Sequence, residues 1–393
     1  MQTRVQVGFL GAGNLNTIQH FPNVAACPDA EIYAVCDKNT ELLEKHATPF
    51  HPKVMTPDFD VMLADPKVDI VWIATSPSLQ ARLARRAIEA GKNTFVEKPM
   101  AETMTECVEL GKLAKKKGVR LFTGFNRRFA PAYQDLKTIM DAMKNPPLIV
   151  YRLADDSNGR TSAIFKQSQL IEEACHIFDI LAFLTGSEPV KIYTFNASVN
   201  NDMVMIQYKN NAVAHITSSI QSSMAWPKER IEVLMDNAAV AIEDFVEMTT
   251  ANVPGYGSIT KRYQGNEYPG WLAGYKEKME WEGLAAVLNY RRRWVEIMNE
   301  SGMWQRERTE ENDKQRGEFI ESYKSRMPPV NYMVNKGWRN ADFAILKALR
   351  EKKPTQAAQA TDAARAIACA EAAIESSRTG TIVNLDPKKW EIA

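Results

Sequence analysis

Two short stretches hold side chains suited to proton chemistry at a carbonyl or hydroxyl oxygen. In "NTFVEKP" a strand-like apolar run ends on Glu97 and Lys98 ahead of a proline. A residue before proline is held extended, so Lys98 stays out of the next helix and its ammonium projects at the strand end. In "EEACHIFDI" Glu172, His176 and Asp179 fall at i, i+4 and i+7 of a helix expected over 167–185, and so share one stripe. Leu170, Ala174, Ile177 and Leu181 lie opposite, and Ile171, Phe178, Ile180 and Phe183 make the rest apolar. Solvation does not explain one thin acid-imidazole-acid line on a helix buried nearly all round. It suits general acid/base work: His176 takes a hydroxyl proton, Glu172 sets the imidazole's tautomer and charge, and Lys98 polarises the oxygen as it becomes a carbonyl. Oxidising a secondary alcohol needs that proton acceptor together with a cofactor for the hydride. A solvated Lys-Pro corner and a satisfied core histidine are the plainer readings.

A hydride acceptor has its own signature upstream. "VGFLGAGNLN" sets Gly11 and Gly13 between the first strand and the first helix. Gly11 permits the tight turn, and Gly13 lets the backbone approach a pyrophosphate on the helix N-terminal amides, with Asn14 and Leu15 in the same turn. Asn16 stands where a small residue is usual, with an amide that can point into the cleft. Asp37 closes the second strand at roughly the 20-residue distance of the carboxylate that accepts both ribose hydroxyls. That charge repels a 2′-phosphate, favouring NAD over NADP, while Lys38 keeps NADP open.

The elements that must position these groups are legible. Up to about residue 125, runs such as "VQVGFLG", "EIYAVCD", "VDIVWIAT" and "NTFVEKP" alternate with helical segments, the mark of a parallel sheet covered on both faces. Such sheets bind ligands beyond the carboxyl ends of their strands, where Lys98 lies. After about residue 128 strand-like runs follow one another with short turns, which means an antiparallel sheet. The expected fold is α/β: a doubly wound Rossmann domain over 1–127, then an α+β domain over 128–393 with a large open, mainly antiparallel sheet. Helices within 336–380 are expected to pack back on the first domain.

Composition narrows the classes further. The 393 residues carry 49 Lys+Arg against 48 Asp+Glu, which does not recommend a nucleic-acid partner. Five scattered cysteines without CxxC spacing suggest a reducing compartment and no metal site. Without an apolar run of roughly 20 residues, a membrane span is not expected, and a cytoplasmic protein is.

Together "GFLGAGN", "AVCDKN", "DIVWIATSPSLQARLARRAIEAGKNTFVEKPMAET", "GVRLFTGFNRRFAP", "EEACHIFDILAFLTG" and "DAARAIACAEAAIESSRTG" resemble the Gfo/Idh/MocA dehydrogenases over nearly the whole chain. The resemblance implies NAD, a pyranose or cyclitol substrate, and a homodimer or homotetramer formed through the C-terminal sheet. It implies that Lys98 is the catalytic lysine and that Glu172 and His176 match the family's acid-x-x-x-His pair. Thr75, Ser76 and Pro77 would line the nicotinamide side, Glu97 and Asn126 would help hold the cofactor, and Asn126, Arg127 and Arg128 would lie by the substrate. Asp155, Asp156 and Asn158, after "LIVYRLA", are candidates for the other substrate hydroxyls, with a plain polar loop as their alternative. The sequence departs from the pattern at Glu172, one methylene longer than the usual Asp, in lacking the usual glycine pair ahead of His176, and at Gln80. An insertion over about 276–335 is rich in aromatics and arginines and suits either a cap or an interface. The leading expectation is an NAD-dependent dehydrogenase of a ring hydroxyl on a sugar, glycoside or cyclitol. Glycoside cleavage through transient oxidation and a non-catalytic sensor are the competing functions.

Overall fold

The computed structural model describes residues 4–156, 168–266, 275–306, 309–323 and 333–392. Six strands, β1 (Val5–Leu10), β2 (Ala30–Cys36), β3 (Val54–Thr56), β4 (Ile70–Ile73), β5 (Asn93–Val96) and β6 (Leu121–Thr123), form one sheet in the order β3-β2-β1-β4-β5-β6. Every pairing in it is parallel. That order reverses between β1 and β4, which opens a crevice at the carboxyl ends of the strands.

Each strand sends alternate side chains into two cores, as the period of two requires. Phe9, Trp72, Phe95 and Phe122 enter one, together with Ile345 and Leu346 of the Trp338–Glu351 helix. Leu10, Val71, Ile73, Val96 and Leu121 enter the other, against Ala84, Ala87 and Ile88 of the Pro77–Glu89 helix and Leu110 of the Met104–Lys117 helix. A segment from near the end of the chain thus completes one face of the first sheet.

The second sheet has nine strands. They are β7 (Leu148–Ala154), β8 (Pro189–Ser198), β9 (Asn201–Tyr208), β10 (Val213–Ser219), β11 (Glu229–Met235), β12 (Ala238–Glu243), β13 (Glu247–Ala251), β14 (Thr260–Arg262) and β15 (Val383–Asn384), in the order β14-β13-β12-β11-β7-β10-β9-β8-β15. Only β7 and β10 pair in parallel. Its inner face, with Ile149, Ile231, Val204 and Ile216, packs against Ile177 and Leu181 and against Ile367 of the Ala360–Thr379 helix.

One expectation fails locally. The segment read as a single helix over 167–185 is two, Gln169–Glu172 and Cys175–Thr185, with Glu173 at φ −122° between them. In an unbroken helix the Glu172 carbonyl would accept from His176 N. Here that carbonyl accepts from Lys98 Nζ at 2.8 Å, and His176 N turns to the Glu173 carbonyl at 3.2 Å. Within "GFNRRF", Asn126–Phe129 is a single 3₁₀ turn.

Candidate active site

The carboxyl ends of β1, β2, β4 and β5 gather the groups expected to hold a cofactor. Gly11 sits at φ +104°, and a Cβ there would lie 2.8 Å from the Ala74 carbonyl; this is the turn only glycine makes. A Cβ on Gly13 would meet nothing within 4 Å, so the backbone there is open to a ligand. Asp37 accepts from Ala12 N at 2.7 Å and Asn39 N at 2.8 Å, which fixes a carboxylate beside the glycine turn. Lys38 and Asn14 are exposed and Leu15 is half-buried. Across the crevice Ser76 is exposed, Pro77 begins its helix, and the half-buried Thr75 has an Oγ1 without a hydrogen-bond partner. These features fit a dinucleotide: an open glycine backbone, a fixed carboxylate and an unpartnered hydroxyl at the switch point. Asn16 is a correction, because its Nδ2 folds back onto the Gly11 carbonyl at 2.6 Å instead of entering the cleft.

Lys98 follows β5 as expected, and the Lys98–Pro99 bond is cis. The carboxylate against it belongs to Glu173, not Glu172. Lys98 Nζ lies 3.0 Å from Glu173 Oε2, while Lys228 Nζ lies 3.1 Å and Arg127 3.5 Å from Glu173 Oε1. Burial opposes ionisation of Glu173, but Lys228, Lys98 and Arg127 hold its carboxyl well below the usual range. The break between the two helices swings Glu173 toward the lysine and breaks the wheel that had favoured its neighbour.

His176 is buried, with its ring centroid 5.7 Å from that of Phe125, and its Nδ1 has no hydrogen-bond partner. Among the described residues Glu172 does not contact that nitrogen. Burial, then the charges of Arg127 and Lys98, push the imidazole well below its ordinary pKa, with Glu173 opposing. It is neutral near pH 7 and able to accept a proton. Asp179, read as part of the same stripe, instead receives Arg128 Nε at 2.8 Å.

The two arginines of "GFNRRF" divide. Arg127 donates to Glu229 through Nε and Nη2, both at 2.8 Å, and reaches the site through Glu173. Arg128 is buried against Asp179, Asp362 and the Gln356 carbonyl. That commits it to tying helices together and corrects its expected position by the substrate. Asn126 is buried, with Nδ2 on the Lys336 carbonyl at 2.8 Å and Oδ1 unpartnered. Asp155 pairs with Lys228 at 3.1 Å, Asp156 accepts from Met224 N at 3.0 Å, and Asn158 lies outside the described residues. Glu97 is turned inward, accepting from Lys98 N at 3.0 Å and lying 3.1 Å from His20 Nε2.

Below Glu173 lies a buried cluster that the sequence reading missed. Glu229 accepts from Arg127, from Tyr151 at 2.7 Å and from Lys336 at 2.8 Å. Burial works against its charge, but Arg127 and Lys336 hold it well below the usual range; burial lowers Lys336 to about 8 with Glu229 opposing. Asp244, bonded to Glu229 N at 2.9 Å and ion-paired with Arg291 at 2.9 Å, ties this cluster to the Leu284–Glu300 helix of the insertion. A signal for Glu229 exists: it falls in phase with Ile231 and Val233 on the inward side of β11. Lys228 and Lys336 carry no such signal. Among the described residues no group of three or more His, Cys, Asp or Glu is placed to hold a metal ion, and no helix is long and apolar enough to cross a membrane.

Comparison with known proteins agrees with this fold. The model of the GFO_IDH_MocA group, described as an oxidoreductase family with the NAD-binding Rossmann fold, matches residues 5–125. The chain is 30% identical over 317 residues to the inositol 2-dehydrogenase of Rhizobium meliloti, spanning 72% of this chain and 94% of that protein. It is 23% identical over 273 residues to the myo-inositol 2-dehydrogenase of Thermotoga maritima, across 66% of this chain and 81% of the relative. In fold it is similar to an oxidoreductase from Agrobacterium radiobacter in complex with NAD+, L-tartaric acid and magnesium. That likeness has a TM-score of 0.72 at 15% identity and covers 97% of this chain and 98% of that one.

Proposed function

This chain belongs to the Gfo/Idh/MocA family of NAD-binding oxidoreductases, and from that premise we propose that it oxidises a secondary ring hydroxyl of a sugar, glycoside or cyclitol. The observation that carries the reading is the meeting of Lys98, Glu173 and the neutral His176 beyond the strand ends of the first sheet. When bound, NAD supplies the acceptor for the hydride. Gly11, Gly13, Asn14, Leu15 and Asp37 would hold its adenosine and pyrophosphate end, with Thr75, Ser76 and Pro77 on the nicotinamide side.

The chain's own residues do the rest. Lys98, steadied by the Glu172 carbonyl and the Glu173 carboxylate, donates to the substrate oxygen and stabilises charge developing there. His176, held neutral by burial and by the charges of Arg127 and Lys98, accepts the hydroxyl proton. Arg127 and Lys228 flank Glu173 and Asp155 pairs with Lys228; these groups supply polar partners for neighbouring hydroxyls. Asp37 disfavours a 2′-phosphate, so NAD is preferred to NADP.

The test is NADH formation at 340 nm with a panel of inositols, aldoses and glycosides, using NAD and NADP. At least one polyol is expected to reduce NAD, with Lys98→Ala and His176→Ala each losing roughly 10²- to 10⁴-fold in kcat/KM. Aglycone release without net NADH, or NAD binding without turnover of any polyol, would overturn the reading.

A further inference from the structure

We propose that Asp342, His20 and Glu97 form a charged positioning array through which the Trp338–Glu351 helix sets Lys98. The proposal rests on the reading of Lys98 as the group that polarises the substrate oxygen.

Both imidazole nitrogens of His20 face a carboxylate. Nε2 is 3.1 Å from Glu97 Oε1, and Nδ1 is 3.0 Å from Asp342 Oδ2. Only the doubly protonated ring can donate in both directions, because a neutral one would set a lone pair against one of the carboxylates. Burial opposes that charge, but Asp342 first and then Glu97 outweigh it and raise the imidazole to about 10. The charges acting on the ring are those of Asp342 and Glu97, and its aromatic neighbours are Trp72 and Phe95. Asn23 Nδ2 donates to Asp342 at 2.8 Å and fixes the far end.

The array ends at the lysine. Glu97 Oε2, the oxygen that His20 leaves over, accepts from Lys98 N at 3.0 Å. Gly124 closes on the same carboxylate so tightly that a Cβ there would lie 2.5 Å from Glu97 Oε2. His20 ends the π-helical turn Asn16–His20 beyond the glycine turn, Glu97 leads into the lysine loop, and Asp342 comes from the far end of the chain. One imidazolium thus couples cofactor turn, lysine loop and C-terminal helix. Residues so linked are positioning residues, since none of the three touches the reacting atoms.

Three measurements decide it. In wild type, NMR of the five histidines, with His20→Gln for assignment, is expected to show a His20 resonance that does not titrate between about pH 5.5 and 8.5, away from its ordinary midpoint. Asp342→Asn is expected to lower polyol kcat by about 10²-fold, the scale of a misplaced reacting group, with little change in NADH affinity. The same variant should shift the rate at which acetic anhydride labels Lys98, quantified by mass spectrometry, and Asp342→Glu, which keeps the charge, should recover part of both effects. A His20 midpoint near 6.5 would overturn the proposal. So would an Asp342→Asn protein that melts earlier but keeps kcat and Lys98 labelling. If even wild type oxidises no polyol, the functional reading fails by itself, and the titration and labelling still decide the array.

Discussion

Glu173 gathers Lys98, Lys228 and Arg127 on one carboxylate, so the orientation of the lysine proposed to polarise the substrate oxygen depends on it. Replacing a carboxylate that three cations share leaves those cations facing one another in a partly dry pocket. Glu173→Gln is therefore expected to lower kcat/KM by about 10²-fold, on the scale of a misplaced reacting group; steady-state kinetics of the variant beside wild type checks this. The two acids are adjacent in sequence, and a helix assumed continuous puts Glu172, not Glu173, in line with His176 and Asp179. His176 makes a second prediction through pH. Its folded pKa lies well below 6.5, so on acidification the unfolded chain takes up a proton that the folded one refuses, and stability falls as pH drops below about 6.5. Urea unfolding at pH 7 and pH 5 is expected to show a smaller acid loss in His176→Gln than in wild type. An equal loss in both would mean the imidazole is not held neutral.

At the scale of elements, the Ala360–Thr379 helix links the two sheets, packing on the Met104–Lys117 helix on one side and on β8 on the other. Its contact with β8 is pinned by Ser376, fully buried, whose Oγ accepts from Thr194 N at 2.9 Å and donates to the Thr381 carbonyl at 2.7 Å. Ser376→Ala strands both backbone groups, at a cost of about 1–3 kcal/mol each at most. We expect a lower Tm by calorimetry with kcat unchanged, because Ser376 touches no residue of the site. The alanine spacing of this helix already marked it for close packing, and the alternating apolar runs marked both sheets, since a strand's burial pattern is written in its own residues. What escaped was decided by partners far along the chain. At the helix break, Lys98, 74 residues earlier, takes the Glu172 carbonyl, and Arg128, which looked like a substrate ligand, is claimed by Asp179 and Asp362. Local periodicity carries no record of such competition. β3, β13 and β14 also escaped, three, five and three residues long.

For the whole molecule the open sheet poses a question of covering. Its outer face lines up Phe195 and Tyr193 of β8 with Met203 and Met205 of β9, then His215 and Thr217 of β10, Val150 and Leu148 of β7, and Leu234 of β11. Phe195 is 64% exposed, Met203 52% and Leu148 48%. A contiguous apolar face of this kind on a chain with a formal charge of only +1 favours association. A stable interface needs about 800 Å² from each partner, and five adjacent strands of seven to ten residues offer an area of that order. We propose that a second copy of the chain covers it, as the resemblance to oligomeric dehydrogenases led us to expect. Sedimentation velocity is then expected to show a dimer or tetramer for wild type. The paired substitution Phe195→Glu and Met203→Glu, exposed in the single chain and so tolerated by its fold, should release monomers. The glycine turn, Asp37 and Thr75 all come from one chain and lie in the first sheet's crevice, away from this face, so those monomers should bind NAD as wild type does. A wild type that sediments as a single chain at micromolar concentration would leave this face to some other partner.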